Sequence, residues 1–170
     1  VWQKYSQLAY ARRVIQDKEG NFWIGSTMNG LCEVSKKGGF KNYTFTNSVL
    51  RTNAITDMVY SEKEDLLLIS TSTGLYTLNA KKHLQAVPLE ALKTASINAL
   101  CIDSRGLRWV CMNDEVRIYD KHFNLLKVFG AQDDMNNVLA ITCDHQGQVW
   151  LTTSDALFNV RVDRNSNKDY

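Results

Sequence analysis

The sequence has little proline, no long hydrophobic run and no strong excess of one charge. One proline stands among 170 residues, beside 44% hydrophobic and 22% charged residues, a composition typical of globular proteins and not of disordered or fibrous chains. No stretch reaches the roughly 18 apolar residues of a membrane-spanning helix. The first residues also lack the charged start and apolar run of a signal peptide. Because the chain begins with Val1, we expect it to be part of a longer protein.

Cysteines and basic residues are too dispersed to indicate two common classes of site. No Cys-x-x-Cys pair occurs, which excludes the usual spacing of zinc ligands and a dense disulfide framework. Twenty basic and 18 acidic residues give a net charge of +2, and no run of Lys and Arg exceeds two residues. Binding to nucleic acid is therefore disfavoured. We expect small buried hydrophobic side chains at the four cysteines, Cys32, Cys101, Cys111 and Cys143.

One motif recurs at a nearly constant interval, and it organises the whole chain. It reads Asp-x-x-Gly-x-x-Trp followed by an aliphatic residue, and its three copies contain Asp17, Gly20 and Trp23, then Asp103, Gly106 and Trp109, then Asp144, Gly147 and Trp150. A degenerate copy starts at Ser61, with Leu67 in the place of tryptophan. The alignment of this copy with the others leaves a shift of one residue open. Successive copies start 44, 42 and 41 residues apart. A period of this length is typical of propellers and other repeat folds.

Each repeat contains four short runs of alternating apolar and polar residues, which predict four β-strands, a to d. Four strands in about 40–45 residues is the pattern of a propeller blade. We therefore predict an all-β fold of β-propeller repeats, with about four four-stranded blades. The predicted blades cover about residues 10–46, 54–90, 96–130 and 137–163.

The motif residues have structural explanations. Aspartate caps backbone N–H groups in the tight turn between strands a and b, and glycine supplies the unusual φ of that turn. The tryptophan on strand b is large enough to fill the wedge between adjacent blades. We therefore expect the three tryptophans to be mostly buried, and we assign no catalytic role to the aspartates.

The first copy continues as Trp23-Ile24-Gly25-Ser26 and is followed by Gly30-Leu31. This pattern resembles the two-component regulator propeller repeat, which builds the sensor regions of hybrid two-component systems in gut Bacteroides-type bacteria. The resemblance extends from Tyr10 to about Val162. The second repeat departs from it, as do Glu115 and Ala156, where the family usually has glycine.

The resemblance implies a location and a role. In that family, two large propellers in the periplasm precede a β-sandwich, a transmembrane helix, a histidine kinase, a receiver and often a DNA-binding domain, and the ligands are typically oligosaccharides. The chain would thus be the periplasmic portion of an inner-membrane sensor, without kinase residues of its own. It would contact no membrane or nucleic acid and need no cofactor or metal.

Propeller geometry predicts where a ligand would bind. The loops between strands d and a, and between b and c, converge on one face of a propeller, and here they are rich in hydroxyl and amide side chains that suit sugar hydroxyls. We predict ligand contacts at the loop-face residues Asn29, Arg51, Thr73, Asn113, Asp114 and Asp155.

Two other classes of function stay open. Streptogramin lyases and gluconolactonase-like hydrolases are propeller enzymes with similar turns, and they need a metal or a catalytic histidine at the channel. None of the three histidines has a second ligand at metal-site spacing, but Glu115 and Asp155 offer oxygen ligands. The third possibility is a protein-interaction scaffold. We expect no catalytic residues.

The two ends of the sequence raise the question of whether the four blades close into a ring. Residues 1–6 resemble a strand d, whereas the fourth repeat has no apolar run after about residue 162. Residues 1–6 would either complete the fourth blade and close a four-bladed ring, or end a preceding blade of a larger ring. We expect the second arrangement, an arc that contacts neighbouring blades or self-associates through its apolar faces.

Overall fold

A computed structural model describes residues 8–160, except residues 136 and 145. Over this part of the chain the fold is all-β, and helix is limited to short 3₁₀ turns such as Glu90–Leu92 and Ala131–Asp133. Four antiparallel sheets are present, each built from strands that follow one another in the sequence. This up-and-down order is that of propeller blades. The chain forms two compact units, Val1–Ser96 (unit 1) and Ile97–Tyr170 (unit 2).

Unit 1 contains two four-stranded sheets. Sheet 1 consists of β1 (Ala11–Gln16), β2 (Phe22–Ser26), β3 (Leu31–Val34) and β4 (Phe40–Tyr43). Sheet 2 consists of β5 (Ile55–Ser61), β6 (Leu66–Thr71), β7 (Gly74–Asn79) and β8 (Leu84–Ala86). The segment between β4 and β5 is the loop between strands d and a that the repeat predicts.

Unit 2 contains sheets 3 and 4. Sheet 3 consists of β9 (Ile97–Ile102), β10 (Arg108–Met112), β11 (Val116–Tyr119) and β12 (Leu125–Phe129). Sheet 4 has three strands within the described residues, β13 (Ala140–Cys143), β14 (Val149–Thr152) and β15 (Leu157–Val160). The strand predicted at residues 1–6 lies outside the described residues, as do residues 161–170.

The core of unit 1 lies between its two sheets. Trp23 is only 2% exposed, and it packs with Met58, Leu67 and Ile69 of sheet 2. The two sheets approach closely at Gly25, where an added Cβ would lie 2.7 Å from Cγ2 of Ile55. Glycine at this position therefore allows the tryptophan-bearing face of sheet 1 to reach sheet 2.

The core of unit 2 repeats this arrangement. Trp109 has no exposed surface, and it packs with Ile141, Val149 and Leu151 of sheet 4. In both units, therefore, the tryptophan of one sheet is buried against the next sheet in the sequence.

The structure shifts the alignment of the degenerate repeat with the other three repeats by one residue. Trp23, Trp109 and Trp150 each pair with the residue two positions before the motif aspartate, at Ile15, Cys101 and Thr142. In sheet 2 the residue two positions before Ser61 is Val59, and it pairs with Leu68.

The prediction that Leu67 takes the place of tryptophan is therefore wrong. Leu67 pairs with Tyr60 and packs against the Trp23 cluster, so it faces the other side of sheet 2. The physical reason is a turn one residue longer than in the other repeats, since seven positions separate Ser61 from Leu68 and six separate Asp17 from Trp23.

Two expectations about burial hold only in part. We expected Trp150 to be mostly buried, but it is half-buried. Its partial exposure arises because in the described part of unit 2 no sheet covers its face of sheet 4. Cys32, Cys101 and Cys111 are buried and Cys143 is half-buried, all as free thiols. Burial raises the pKa of Cys32 to about 11, so this thiol is protonated at neutral pH.

Candidate functional site

The motif aspartates are engaged within their own turns. Oδ1 of Asp17 accepts hydrogen bonds from the backbone N–H groups of Glu19 and Asn21, at 3.0 and 2.9 Å. Oδ2 accepts one from the indole N–H of Trp23 at 2.9 Å. Gly20 has φ +87°, and its N–H donates to the carbonyl of Asp17 at 3.0 Å. Glycine tolerates this φ because it has no Cβ.

The other two complete copies have the same geometry. Oδ2 of Asp103 accepts from the indole of Trp109 at 3.2 Å, and Oδ2 of Asp144 accepts from that of Trp150 at 3.0 Å. Gly106 and Gly147 have φ +86° and +81°. The bond from Trp150 is the main reason that the pKa of Asp144 is lowered. Carboxylates held in this way stabilise a turn and a core tryptophan, and they are not available as general acids or bases.

A groove lies among the loops of unit 1 and forms the best candidate for a ligand site. The turn after β2 and the loop between β4 and β5 border an open surface groove of about 400 Å³. We call it the loop groove, and it is lined by Thr27, Met28, Phe45, Arg51, Thr52, Asn53 and Ala54.

Hydrogen bonds fix the polar side of the loop groove. The backbone N–H of Arg51 donates to the hydroxyl of buried Tyr76 at 3.1 Å, and Nη1 of Arg51 donates to the carbonyl of Lys93 at 3.0 Å. Oδ1 of Asn53 accepts from the N–H of Phe45 at 3.0 Å. Among the described residues, Nε and Nη2 of Arg51 and Nδ2 of Asn53 have no acceptor, so these donors are free for a ligand.

The apolar side of the loop groove is exposed. Met28 is 59% exposed and Phe45 57% exposed, although exposure of large apolar side chains to water is unfavourable. An aromatic wall with a few fixed donors is the usual lining of a small-molecule site. The groove thus suits a ligand that has both an apolar face and several hydrogen-bond acceptors.

Two of the three predicted residues of unit 1, Arg51 and Asn29, lie in or next to the loop groove. Arg51 lines it. Asn29 stabilises the adjoining turn instead, because its Nδ2 donates to the carbonyl of Ala9 at 2.9 Å. The hydroxyl oxygen of Thr73 is buried without a hydrogen-bond partner among the described residues. Thr73 is not among the residues that line the groove.

The three predicted residues of unit 2 occupy two separate turns. Oδ1 of Asn113 accepts from Nδ2 of Asn98 at 2.9 Å, and exposed Asp114 follows it in the same turn. Asp155 lies in the turn between β14 and β15 and accepts from the hydroxyl of Thr153 at 2.9 Å. Asp155 thus stabilises its own turn, and Asn113 links its turn to Asn98 on β9.

Sequence reasoning missed six residues of the loop groove, namely Thr27, Met28, Phe45, Thr52, Asn53 and Ala54. Thr52 and Asn53 lie in the loop segment that the repeat predicts to face a ligand, but composition alone did not distinguish them from other polar residues. Met28 and Phe45 were missed because we expected polar ligand contacts. A usable signal existed, since each is a large apolar residue between two polar neighbours in a loop.

The carboxylates considered as oxygen ligands are engaged elsewhere. Glu115 accepts a hydrogen bond from Nε of Arg117 at 2.6 Å, and Asp155 is bound to Thr153. Within the described ranges, no group of three or more His, Cys, Asp or Glu side chains has the arrangement of a metal site. No helix in the same ranges has the length and apolarity to cross a membrane.

Comparison with known proteins relates the chain to several solved structures. No protein-family model and no curated protein sequence matches it. The extracellular domain of the hybrid two-component system BT3049 from B. thetaiotaomicron has a TM-score of 0.80 and 20% identity, over 96% of this chain and 23% of that one. The corresponding domain of BT4673, from the same organism, has a TM-score of 0.73 and 17% identity, over 93% and 21%.

A propeller enzyme has a similar fold. The virginiamycin B lyase from Staphylococcus aureus superposes with a TM-score of 0.68 and 12% identity, over 90% of this chain and 56% of the lyase. The chain has a β-propeller fold. The fold that the repeat predicts is thus confirmed, and the chain spans about a quarter of the length of the two sensor domains.

Proposed function

We propose that the chain is a non-catalytic, ligand-sensing segment of an extracytoplasmic propeller in a hybrid two-component sensor. In this proposal the segment belongs to the periplasmic portion of an inner-membrane protein and passes its signal to a histidine kinase outside the chain. The fold similarity to two such sensor domains supports the proposal, as does the motif around Trp23. The loop groove is the observation that carries the binding role.

The ligand class that fits the loop groove best is an oligosaccharide. Sugar rings present apolar C–H faces that stack on aromatic side chains, and their hydroxyl oxygens accept hydrogen bonds. Phe45 supplies the ring, and the free donors of Arg51 and Asn53 lie in the same groove. Because Arg51 is tethered at both its backbone and its guanidinium, little conformational entropy is lost when a ligand binds.

An enzyme of the lyase or gluconolactonase type is the alternative that the shared fold suggests. The local hydrogen bonds of Glu115 and Asp155 argue against their use as metal ligands in the described structure. A scaffold that binds only proteins is the third candidate, and it would not need the free donors of the loop groove.

A glycan array followed by calorimetry tests the proposal. We expect the chain to bind at least one class of oligosaccharide, and Phe45→Ala to weaken binding about tenfold, since an aromatic contact contributes about 0.5–1.5 kcal/mol beyond its buried area. Arg51→Ala should weaken it as well. Leu126→Ala, at an exposed apolar residue on β12, is the matched control.

Three outcomes would count against the proposal. Binding that survives both groove substitutions would place the site elsewhere. A chain that binds no glycan on the array would favour the scaffold. Turnover of a lactone or a streptogramin would favour the enzyme.

A further inference from the structure

Free hydrogen-bond donors lie on the polar side of the loop groove. Oδ1 of Asn53 already accepts from the N–H of Phe45, and Oγ1 of Thr52 accepts from the N–H of Ala54 at 3.1 Å. Nε and Nη2 of Arg51 and Nδ2 of Asn53, by contrast, have no acceptor among the described residues. A sugar hydroxyl brings a proton that needs an acceptor, whereas an ionised acid only accepts. The groove therefore suits an ionised acidic group better than a hydroxyl.

The two free nitrogens of Arg51 form one edge of its guanidinium. An N–H bond of Nη2 is parallel to that of Nε, so this edge can donate to two oxygens of one anionic group. Nη1 donates instead to the carbonyl of Lys93 at 3.0 Å, and the backbone N–H of Arg51 donates to the hydroxyl of Tyr76 at 3.1 Å. These two bonds hold Arg51 in place and leave its two-donor edge open.

The charge of Arg51 is not balanced within the groove. Among the described residues that line the groove, Arg51 alone carries a charge, and no described carboxylate forms an ion pair with it. Glu90 already has a cation, because Nζ of Lys93 pairs with it. An anion in the groove would thus meet a positive charge and no acidic side chain in the lining.

The groove lies at strand ends and not on a sheet face. Its lining residues belong to the turn after β2 and to the loop between β4 and β5, whereas the blades of a propeller pack through their sheet faces. Tyr76 and Lys93, which hold Arg51, belong to the same unit. The two-donor edge is therefore formed and held by described residues of unit 1.

We infer that the loop groove selects acidic oligosaccharides and binds an anionic group of the sugar on the Nε–Nη2 edge of Arg51. This inference rests on the proposed function and deepens it, because it names the charge of the ligand. The ring of the acidic sugar would lie against Phe45, and Nδ2 of Asn53 would donate to one of its oxygens. Uronate carboxylates and sulfate esters both present two oxygens to such an edge, so the two kinds of sugar are measured separately.

Matched pairs of oligosaccharides test this inference on a glycan array, followed by calorimetry. Uronic acid oligosaccharides are compared with their methyl esters, which keep the rings and linkages but lose the charge. Sulfated oligosaccharides are compared with their desulfated forms. In at least one of the two sets, we expect the acidic member to bind at least about tenfold more tightly than its neutral counterpart, since charge-assisted hydrogen bonds are about twice as strong as neutral ones.

Substitutions separate the geometry of Arg51 from its charge. Arg51→Lys keeps the charge but lacks the two-donor edge, so the preference for the acidic member should fall to about threefold or less. Arg51→Gln should abolish it. Lys121→Gln removes a positive charge from an exposed turn of unit 2 and should leave it unchanged. Because the preference is a ratio measured on one variant, a general loss of groove shape would weaken both members of a pair alike.

Failure of this inference is distinguishable from failure of the proposed function. Acidic and neutral members that bind equally well would overturn the inference and leave the sensor role intact. A preference for the acidic member that persists in Arg51→Gln would also overturn it, as would an equal loss of preference in Lys121→Gln. A chain that binds no acidic or neutral glycan on the array would contradict the proposed function and the inference together.

Discussion

The indole N–H of Trp23 donates to Oδ2 of Asp17 at 2.9 Å, and this bond links a surface turn to the buried interface between two sheets. The degenerate repeat lacks both partners, because Ser61 stands in the place of the aspartate and Leu68 in the place of the tryptophan. Loss of both together leaves neither an indole donor nor a carboxylate unsatisfied, which is far less costly than loss of one. The motif therefore behaves as one interacting unit.

Removal of the motif carboxylate from a complete repeat should lower the free energy of unfolding. Asp103 is buried, and Asp103→Ala removes the acceptor of two backbone N–H groups and of the Trp109 indole. We expect a loss of about 2–4 kcal/mol in the free energy of unfolding, measured with urea. Asp114→Ala, in an exposed turn, should change it by less than about 0.5 kcal/mol. Equal effects of the two substitutions would contradict the proposed role of the motif.

The motif also predicts how stability depends on pH. Hydrogen bonds, first of all that from Trp150, lower the pKa of Asp144 below its ordinary value of 3.8. A group whose pKa is lower in the folded state stabilises the fold above its unfolded pKa, and this contribution is lost as pH falls through the folded pKa. We expect the melting temperature to fall below about pH 4, and less steeply in Asp144→Asn, which does not ionise. An unchanged slope in this variant would rule out the contribution.

The sheets and turns could be predicted from the sequence, because the motif fixes both the period and the turn geometry. The position of Leu67 on sheet 2 could not be predicted, since the degenerate turn contains neither the motif aspartate nor the motif glycine that set the length of the turn in the other repeats. The partial burial of Trp150 depends on whether another sheet covers it, which a repeat pattern does not state. Phe45 and Met28 were missed because the exposure of an apolar side chain depends on the path of its loop.

An ion pair between the sheets of unit 1 should be important for stability. Nζ of Lys82, beside β7, pairs with the buried carboxylate of Glu33 on β3, and this hydrogen bond to Glu33 raises the pKa of Lys82. Lys82→Met should cost about 1–3 kcal/mol in unfolding free energy, because it leaves the buried Glu33 carboxylate without its cation, while solvent at the part-exposed Lys82 side chain screens part of the interaction.

A double-mutant cycle separates this effect from loss of packing. Glu33→Gln in the Lys82→Met background should recover part of the lost stability, since the buried charge is then removed as well. Strictly additive losses would show that the two side chains do not interact.

Close packing at Gly25 gives a steric prediction. Gly25→Ala would place a methyl group 2.7 Å from Cγ2 of Ile55, so we expect about 1–3 kcal/mol of destabilisation from overpacking. The penalty should largely disappear in an Ile55→Ala background, where the opposing methyl group is absent. Urea unfolding of the unchanged chain, the two single variants and the double variant measures this coupling. A Gly25→Ala penalty of the same size in both backgrounds would be inconsistent with a steric origin.

The pairing of each strand with its neighbours in sequence has a consequence for biosynthesis. Within the described residues, each sheet is built from one continuous stretch of chain, and local pairing of this kind lowers contact order and favours rapid folding. A sheet need not wait for distant segments to emerge from the ribosome or from a translocation channel. Delivery of the chain one end first therefore suits this topology, and within each unit the first sheet presents its tryptophan-bearing face to the sheet that follows it.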